Sequence, residues 1–181
     1  MTWWKRLIWV CCAFLALVLY MLPMLFQQLA ITYQFPKQWT IGLGLLLIFL
    51  VLLVFVVVAK KTGILSQSGK IFQQGDGKRI ALSLLGMLLI SVLGTVLLRL
   101  LHGEVTTANQ ASLMEEFRRG NTILLAIMLG ILAPIAEEII FRGIIPLKIF
   151  KGYESWGYII GGLLFAIFHG PTNIMSFVIY G

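Results

Sequence analysis

The chain contains a run of nineteen residues, Ile41–Ala59, without a single charged side chain. At a rise of about 1.5 Å per residue, a helix of this length covers roughly the 30 Å hydrocarbon core of a bilayer. A segment inside lipid must satisfy its backbone hydrogen bonds internally, which an α-helix does. The run therefore predicts a transmembrane helix.

Similar runs recur along the chain and predict an all-α fold, a polytopic transmembrane helical bundle. The other four spans are Leu7–Phe26, Ile80–Leu98, a run from about Ile123, and Gly157–Phe168. We predict these five full spans and the start of a sixth, which begins at about Asn173. We divide the chain into N-terminal spans with a basic loop (1–120) and a C-terminal core (121–181), which we expect to be incomplete.

Composition supports a membrane protein, since 60% of the residues are hydrophobic and 12% are charged. A soluble domain carries about a quarter charged residues. The net charge of +7 does not indicate a nucleic-acid partner, because the basic residues flank apolar runs. Cys11 and Cys12 are adjacent inside the first run, where we interpret them as small apolar side chains rather than a metal or redox pair.

The basic residues also predict the orientation in the membrane. Lys5, Arg6 and the basic loop Lys60–Arg79 lie on one side if two spans separate them. Positively charged loops favour the cytoplasm, so we place the N-terminus and this loop there. We expect an integral protein of a bacterial plasma membrane, embedded in the lipid bilayer, whose first run stays as an anchor.

Two adjacent carboxylates, Glu137 and Glu138, interrupt the fourth run. A charged group at membrane depth costs on the order of 3 kcal/mol or more, so each must be paired or used. Arg142 follows Glu138 by four residues, the spacing that brings two side chains to one helix face. Glu137 points about 100° away around the helix. We interpret Glu138 and Arg142 as a structural ion pair, whose loss would cost a few kcal/mol, and Glu137 as the working acid or base.

Gly130 and Pro134 weaken the helix just before the carboxylates. Proline lacks the amide that would bond the carbonyl of Gly130. In a membrane that carbonyl needs another partner, such as a water molecule. The pattern fits either a wet pocket beside Glu137 or an ordinary helix kink.

A stripe of small and aromatic residues lies along the fifth run at four-residue spacing. It consists of Gly157, Gly161, Phe165 and His169. Small residues at this spacing allow two helices to approach closely in lipid, so the stripe should face another helix and carry His169 inward. The depths of His169 and Glu137 match if the fourth helix continues to about Phe150. A carboxylate and an imidazole in one site can activate water, alone or with a metal ion.

The pattern Glu137-Glu138-x-x-x-Arg142, followed by Phe165-x-x-x-His169, resembles the first two motifs of the CPBP intramembrane proteases. This family includes CAAX-prenyl endopeptidases and bacteriocin-processing proteins and is also called the Abi family. The resemblance covers roughly residues 121–175. It implies an intramembrane endopeptidase that hydrolyses peptide bonds of membrane-associated or prenylated proteins or peptides, at a polar cavity open to the cytoplasm.

By the same resemblance, Glu137 activates the water and His169 helps to hold it or a divalent metal ion such as zinc. Glu138 and Arg142 hold the helix, while Phe165 and Asn173 lie in the substrate pocket. The family's third motif, a His followed four residues later by Asn or Asp on a later span, is missing, so we expect a truncated copy. Zinc sites use three protein ligands, and Glu137 with His169 supplies two.

Two other functions are compatible with this sequence. One is a non-enzymatic membrane protein of the same fold, such as a bacteriocin self-immunity factor that binds a partner. The other is part of a transporter in which Glu137 and His169 relay protons. A transporter of that kind usually has an inverted repeat, and the charged motif has no second copy in the sequence.

Overall fold

The computed structural model describes residues 2–68, 75–103, 107–171 and 177, apart from the side chains of residues 67, 68, 76, 98, 102 and 108. The helices of these residues are α1 (Trp3–Thr32), α2 (Lys37–Lys61), α3 (Asp76–His102), α4 (Ala108–Arg119), α5 (Thr122–Ile149) and α6 (Glu154–Phe168). A short 3-10 helix, Leu65–Ser68, follows α2. The predicted helical membrane bundle is confirmed.

Within the described residues, α1, α2, α3 and α5 are long and apolar enough to cross a bilayer. Helix α6 has 15 residues, so its length of about 22 Å is less than the roughly 30 Å of the hydrocarbon core. The described residues thus contain four helices of spanning length and a shorter fifth apolar helix, where the sequence suggested five full spans. The predicted start of a sixth span lies outside the described residues.

Helix α5 occupies the centre of the bundle. In its most apolar 18-residue window, 44% of the residues are buried, compared with 22% in α2 and 6% in α3. Leu132, Ala136 and Ile140 are fully buried at successive turns of α5, and Ile48 and Val51 of α2 belong to the same core. The helix that carries the two adjacent carboxylates is therefore the best packed of the spans.

Hydrogen bonds at its N-terminus fix where α5 begins. The side chain of Asn121 accepts hydrogen bonds from the amides of Ile123 and Leu124. An N-cap of this kind satisfies amides that have no partner inside the helix. Helix α4, just before it, is held by a capping box between Thr107 and Gln110. The start of α5 at Thr122 agrees with the predicted start near Ile123.

Hydrogen bonds from basic side chains connect three helix ends on one side of the bundle. Arg6, near the start of α1, donates hydrogen bonds to the carbonyls of Ile149 (2.9 Å) and Lys151 (3.0 Å) at the end of α5. Lys148 donates to the carbonyl of Thr62, the residue after α2, at 2.5 Å. The start of α1 and the ends of α2 and α5 therefore lie together, as they must if two spans separate the N-terminus from the basic loop.

Candidate active site

Helix α5 changes its hydrogen-bond register on both sides of Glu137. Its successive segments are Thr122–Ile127 (α), Met128–Leu132 (π), Ala133–Glu137 (α) and Glu138–Ile149 (π). The amide of Ala133 donates to the carbonyl of Met128, five residues earlier. Pro134 and Pro146 lie in these segments and cannot donate an α-helical hydrogen bond. Single π-helical turns occur frequently at functional sites.

The helix remains continuous as far as Ile149. This meets the condition under which the depths of Glu137 and His169 were expected to match. The chain turns only at residues 150–153 before α6 begins.

Glu137 points from α5 toward α1. The hydroxyl of Tyr20 donates a hydrogen bond to Glu137 Oε1 at 3.3 Å. The Tyr20 ring packs on Phe168 of α6, with 6.1 Å between the ring centroids. Sequence reasoning missed Tyr20, because an aromatic residue inside an apolar run gives no local signal of such a contact.

His169 lies directly after the last residue of α6. Its Nδ1 is 2.9 Å from the carbonyl oxygen of Phe165. Since a carbonyl can only accept, this hydrogen bond places the proton of a neutral ring on Nδ1 and makes Nε2 the basic nitrogen. The imidazole also lies against the Phe165 ring, at a centroid distance of 4.3 Å. The end of α6 thus fixes both the position and the tautomer of the imidazole.

Glu137 and His169 line the same cavity, of about 240 Å³, together with Tyr20. Most of the other wall residues are apolar, and they come from α1, α4, α5 and α6: Met21, Met24, Leu113, Met128, Leu129, Ala133 and Phe168. The structure therefore brings together the carboxylate and the imidazole on which the predicted site depends.

The stripe of small residues on α6 faces α5, as predicted. A Cβ atom at Gly161 would lie 2.5 Å from the carbonyl oxygen of Phe141, and one at Gly157 would lie 2.5 Å from Cα of Pro146. Both distances are shorter than real Cβ contacts, so only glycine allows the two backbones to come this close. The close approach places the end of α6, with His169, beside the helix that carries Glu137.

Glu138 and Arg142 form the predicted ion pair, with 2.9 Å between Glu138 Oε2 and Arg142 Nη1. Their side chains are 60% and 71% exposed. The structural pair that the spacing predicted is therefore present, and it lies on the part of α5 outside the packed core, beside a cavity. A pair that faces water contributes up to about 1 kcal/mol, whereas in lipid the loss of one partner would cost the few kcal/mol expected from the sequence.

A second cavity, of about 560 Å³, lies on the side of α5 where this ion pair is found. Glu137, Glu138 and Arg142 all contribute to its wall, as does Phe165 of α6. Phe165 packs edge-on against Phe141 of α5, at a centroid distance of 5.3 Å. Glu137 thus borders both cavities, and Phe165 lies beside the carboxylates as the sequence suggested. Asn173, the other predicted pocket residue, lies outside the described residues.

The described residues do not complete the zinc site considered above. No group of three His, Cys, Asp or Glu side chains converges on one point in the part of the chain that the structure covers. Glu137 and His169 share a cavity but supply two ligands, whereas zinc sites use three from the protein. We therefore derive the chemistry below from the carboxylate, the imidazole and water.

A comparison with known families finds a match for the C-terminal part of the chain. Residues 119–181 match the Rce1-like family, described as type II CAAX prenyl endopeptidase Rce1-like. This segment contains both carboxylates, Arg142, the glycine stripe and His169. This segment is therefore similar to the Rce1-like family of CAAX prenyl endopeptidases.

A curated relative extends the likeness beyond that segment. The chain is 32% identical over 95 residues to the UPF0177 protein YvdC of Lactococcus lactis subsp. lactis. The aligned region covers 52% of this chain and 36% of that protein, so the match spans about a third of the relative's length. No solved structure matches the chain.

Proposed function

We propose that this protein is an intramembrane endopeptidase in which Glu137 and His169 activate a water molecule. The observation that carries the proposal is the cavity that both side chains line, inside a largely apolar bundle. Ionisable side chains at membrane depth are rare and usually functional. The family match over residues 119–181 supports peptide-bond hydrolysis as the reaction.

The proposed chemistry is general-base hydrolysis. A water in the cavity donates one hydrogen bond to Glu137 and the other to Nε2 of His169, which directs its lone pairs toward a bound peptide carbonyl. Glu137 takes a proton as the water oxygen attacks the carbonyl carbon. The same proton then passes to the leaving amine, so that one water and one peptide bond become a carboxylic acid and an amine.

The proposed substrates are membrane-associated or prenylated proteins and peptides of the CAAX type. Three methionines, Met21, Met24 and Met128, line the cavity beside the polar groups. Flexible thioether side chains adapt to apolar ligands of different shapes. A wall of this kind suits an apolar chain next to the bond that is cleaved. In this proposal the N-terminus faces the cytoplasm of a bacterial cell.

A divalent metal ion at Glu137 and His169 is a separate proposal. It requires a third ligand in addition to these two. Metal analysis of the purified protein tests it, with Glu137→Gln and His169→Ala as matched variants. A bound metal ion that both variants lose would support the proposal, and a content equal in parent and variants would contradict it.

The test of the peptidase itself is Glu137→Gln, which keeps the shape of the side chain and removes its basicity. We expect cleavage of a prenylated reporter peptide in proteoliposomes to fall by about 10²–10⁴-fold, the usual contribution of a general base. Glu116→Gln is the control, because Glu116 is a surface carboxylate that accepts a hydrogen bond from Gln28 and lies outside the cavity of His169. Equal cleavage by Glu137→Gln and the parent would refute the mechanism. A binding-only role, such as immunity, predicts that Glu137→Gln still protects cells.

A further inference from the structure

We infer that Tyr20 is a positioning residue for Glu137: its hydroxyl holds the carboxylate in the orientation in which it faces the cavity shared with His169. The inference rests on the proposed peptidase function. It goes beyond that function because Tyr20 lies in α1 and outside the segment that matches the protease family.

Contacts on two sides hold Tyr20 in place. Its hydroxyl donates to Glu137 Oε1 at 3.3 Å, and its ring lies 6.1 Å from that of Phe168. Phe168 in turn contacts Phe141 (5.9 Å) and His169 (6.1 Å). Tyr20 is therefore part of an aromatic cluster that joins α1, α5 and α6 around the proposed site.

The hydrogen bond addresses a geometric requirement of a general base. A glutamate side chain has several rotatable bonds, and a base must be held at a productive angle to the water. A bond to Oε1 restricts these rotations while the carboxylate keeps further lone pairs for the water. Rigid support of this kind is what a functional side chain needs from its neighbours.

The chemical type of the donor also fits the role. A phenol is neutral at physiological pH, so it orients the carboxylate without cancelling its charge. The nearby cation, Arg142, pairs instead with Glu138 at 2.9 Å. The arrangement gives Glu137 a neutral partner and Glu138 a charged one, which suits a base at position 137.

The test compares Tyr20→Phe with the parent in proteoliposomes, using the whole chain and the reporter peptide. The variant keeps the ring and removes the hydroxyl. We expect kcat to fall about tenfold, the usual effect of one lost hydrogen bond to a charged group, with KM within about twofold of the parent. Tyr33→Phe is the control, since Tyr33 lies just after α1 and is 68% exposed.

A double variant separates positioning from general stability. In the Glu137→Gln background, Tyr20→Phe should cause no further fall in cleavage, because both changes disable the same group. If Tyr20→Phe has the kcat of the parent, the inference about Tyr20 is overturned. If Glu137→Gln is inactive in the same assay, the proposed function still stands. Equal loss in Tyr20→Phe and Tyr33→Phe would also overturn it.

A second measurement does not depend on cleavage. Dicyclohexylcarbodiimide labels carboxyl groups within membranes, and mass spectrometry locates the label at Glu137. Without the bond to Oε1, we expect Glu137 of Tyr20→Phe to be labelled at least about threefold faster than in the parent. Equal labelling rates in Tyr20→Phe and the parent would overturn the inference, whether or not the protein cleaves peptides. A parent protein that cleaves no peptide would separately refute the proposed function.

Discussion

Glu137 and Glu138 are neighbours in the sequence, but the two sides of α5 on which they lie differ. Glu137 is half-buried, bonded to Tyr20 from another helix, and shares a cavity with His169. Glu138 is 60% exposed and paired with Arg142 of its own helix. About 100° around one helix separates the two side chains, and Glu137 borders both cavities whereas Glu138 borders one.

The comparison shows how a pair of carboxylates can be divided between two tasks. The ion pair on the outer side satisfies one charge with a residue four positions away, so it requires no other helix. Glu137, on the inner side of α5, has its partners on other elements: Tyr20 in α1 and His169 at the end of α6. These contacts form only when the helices have packed together. A group that depends on several helices can be oriented with an accuracy that a local ion pair does not provide.

The largest expected difference lies between the two carboxylates themselves. Glu138→Gln should retain more than about a tenth of the parent's cleavage activity, whereas Glu137→Gln should lose a hundredfold or more. The reason is that only Glu137 shares the cavity of His169. Parallel reporter assays on equal amounts of folded protein measure the ratio. Similar losses in the two variants would break the comparison, because both carboxylates would then serve the reaction.

A second prediction concerns the contact that brings α6 to α5. Gly161→Ala should destabilise the protein by about 1–3 kcal/mol, since its Cβ would lie 2.5 Å from the Phe141 carbonyl oxygen. It should also lower cleavage, because the end of α6 carries His169. Thermal unfolding in detergent provides the measurement. Gly42→Ala, which has no neighbour within 4 Å, is the control, and equal melting temperatures for both variants would contradict the close approach.

The smallest expected effect is on the outer side. Arg142→Ala should lower the unfolding free energy by less than about 1 kcal/mol, because both members of the ion pair are exposed. The same detergent unfolding assay detects the change. A loss of several kcal/mol would show that the pair is shielded from water, and would support the few kcal/mol expected from the sequence.

The features that could be predicted are those that depend on neighbours along the chain. Apolar run length indicated the spans, and a spacing of four residues indicated both the Glu138–Arg142 pair and the stripe facing α5. Each signal is local, because helical geometry fixes which residues share a face. The meeting of Glu137 and His169 followed once the stripe and the continuous α5 were assumed.

The features that could not be predicted depend on contacts between distant elements. Tyr20 lies among apolar residues of α1 and resembles any other aromatic residue of a span. The π-helical segments of α5 depend on how neighbouring helices satisfy its backbone, which the prolines alone do not specify. The exposure of Glu138 and Arg142 likewise depends on which face of α5 the other helices cover.

The hydrogen bond between Tyr20 and Glu137 joins residues that are 117 positions apart. Because a chain is synthesised from its N-terminus, α1 is in place well before α5 leaves the ribosome. Arg142, the partner of Glu138, follows it by four residues on the same helix. The hydroxyl that donates to Glu137 belongs to Tyr20, on a helix that is made earlier. The first span thus supplies the hydrogen-bond donor of Glu137, so the inner side of α5 can form only after both helices are in the membrane.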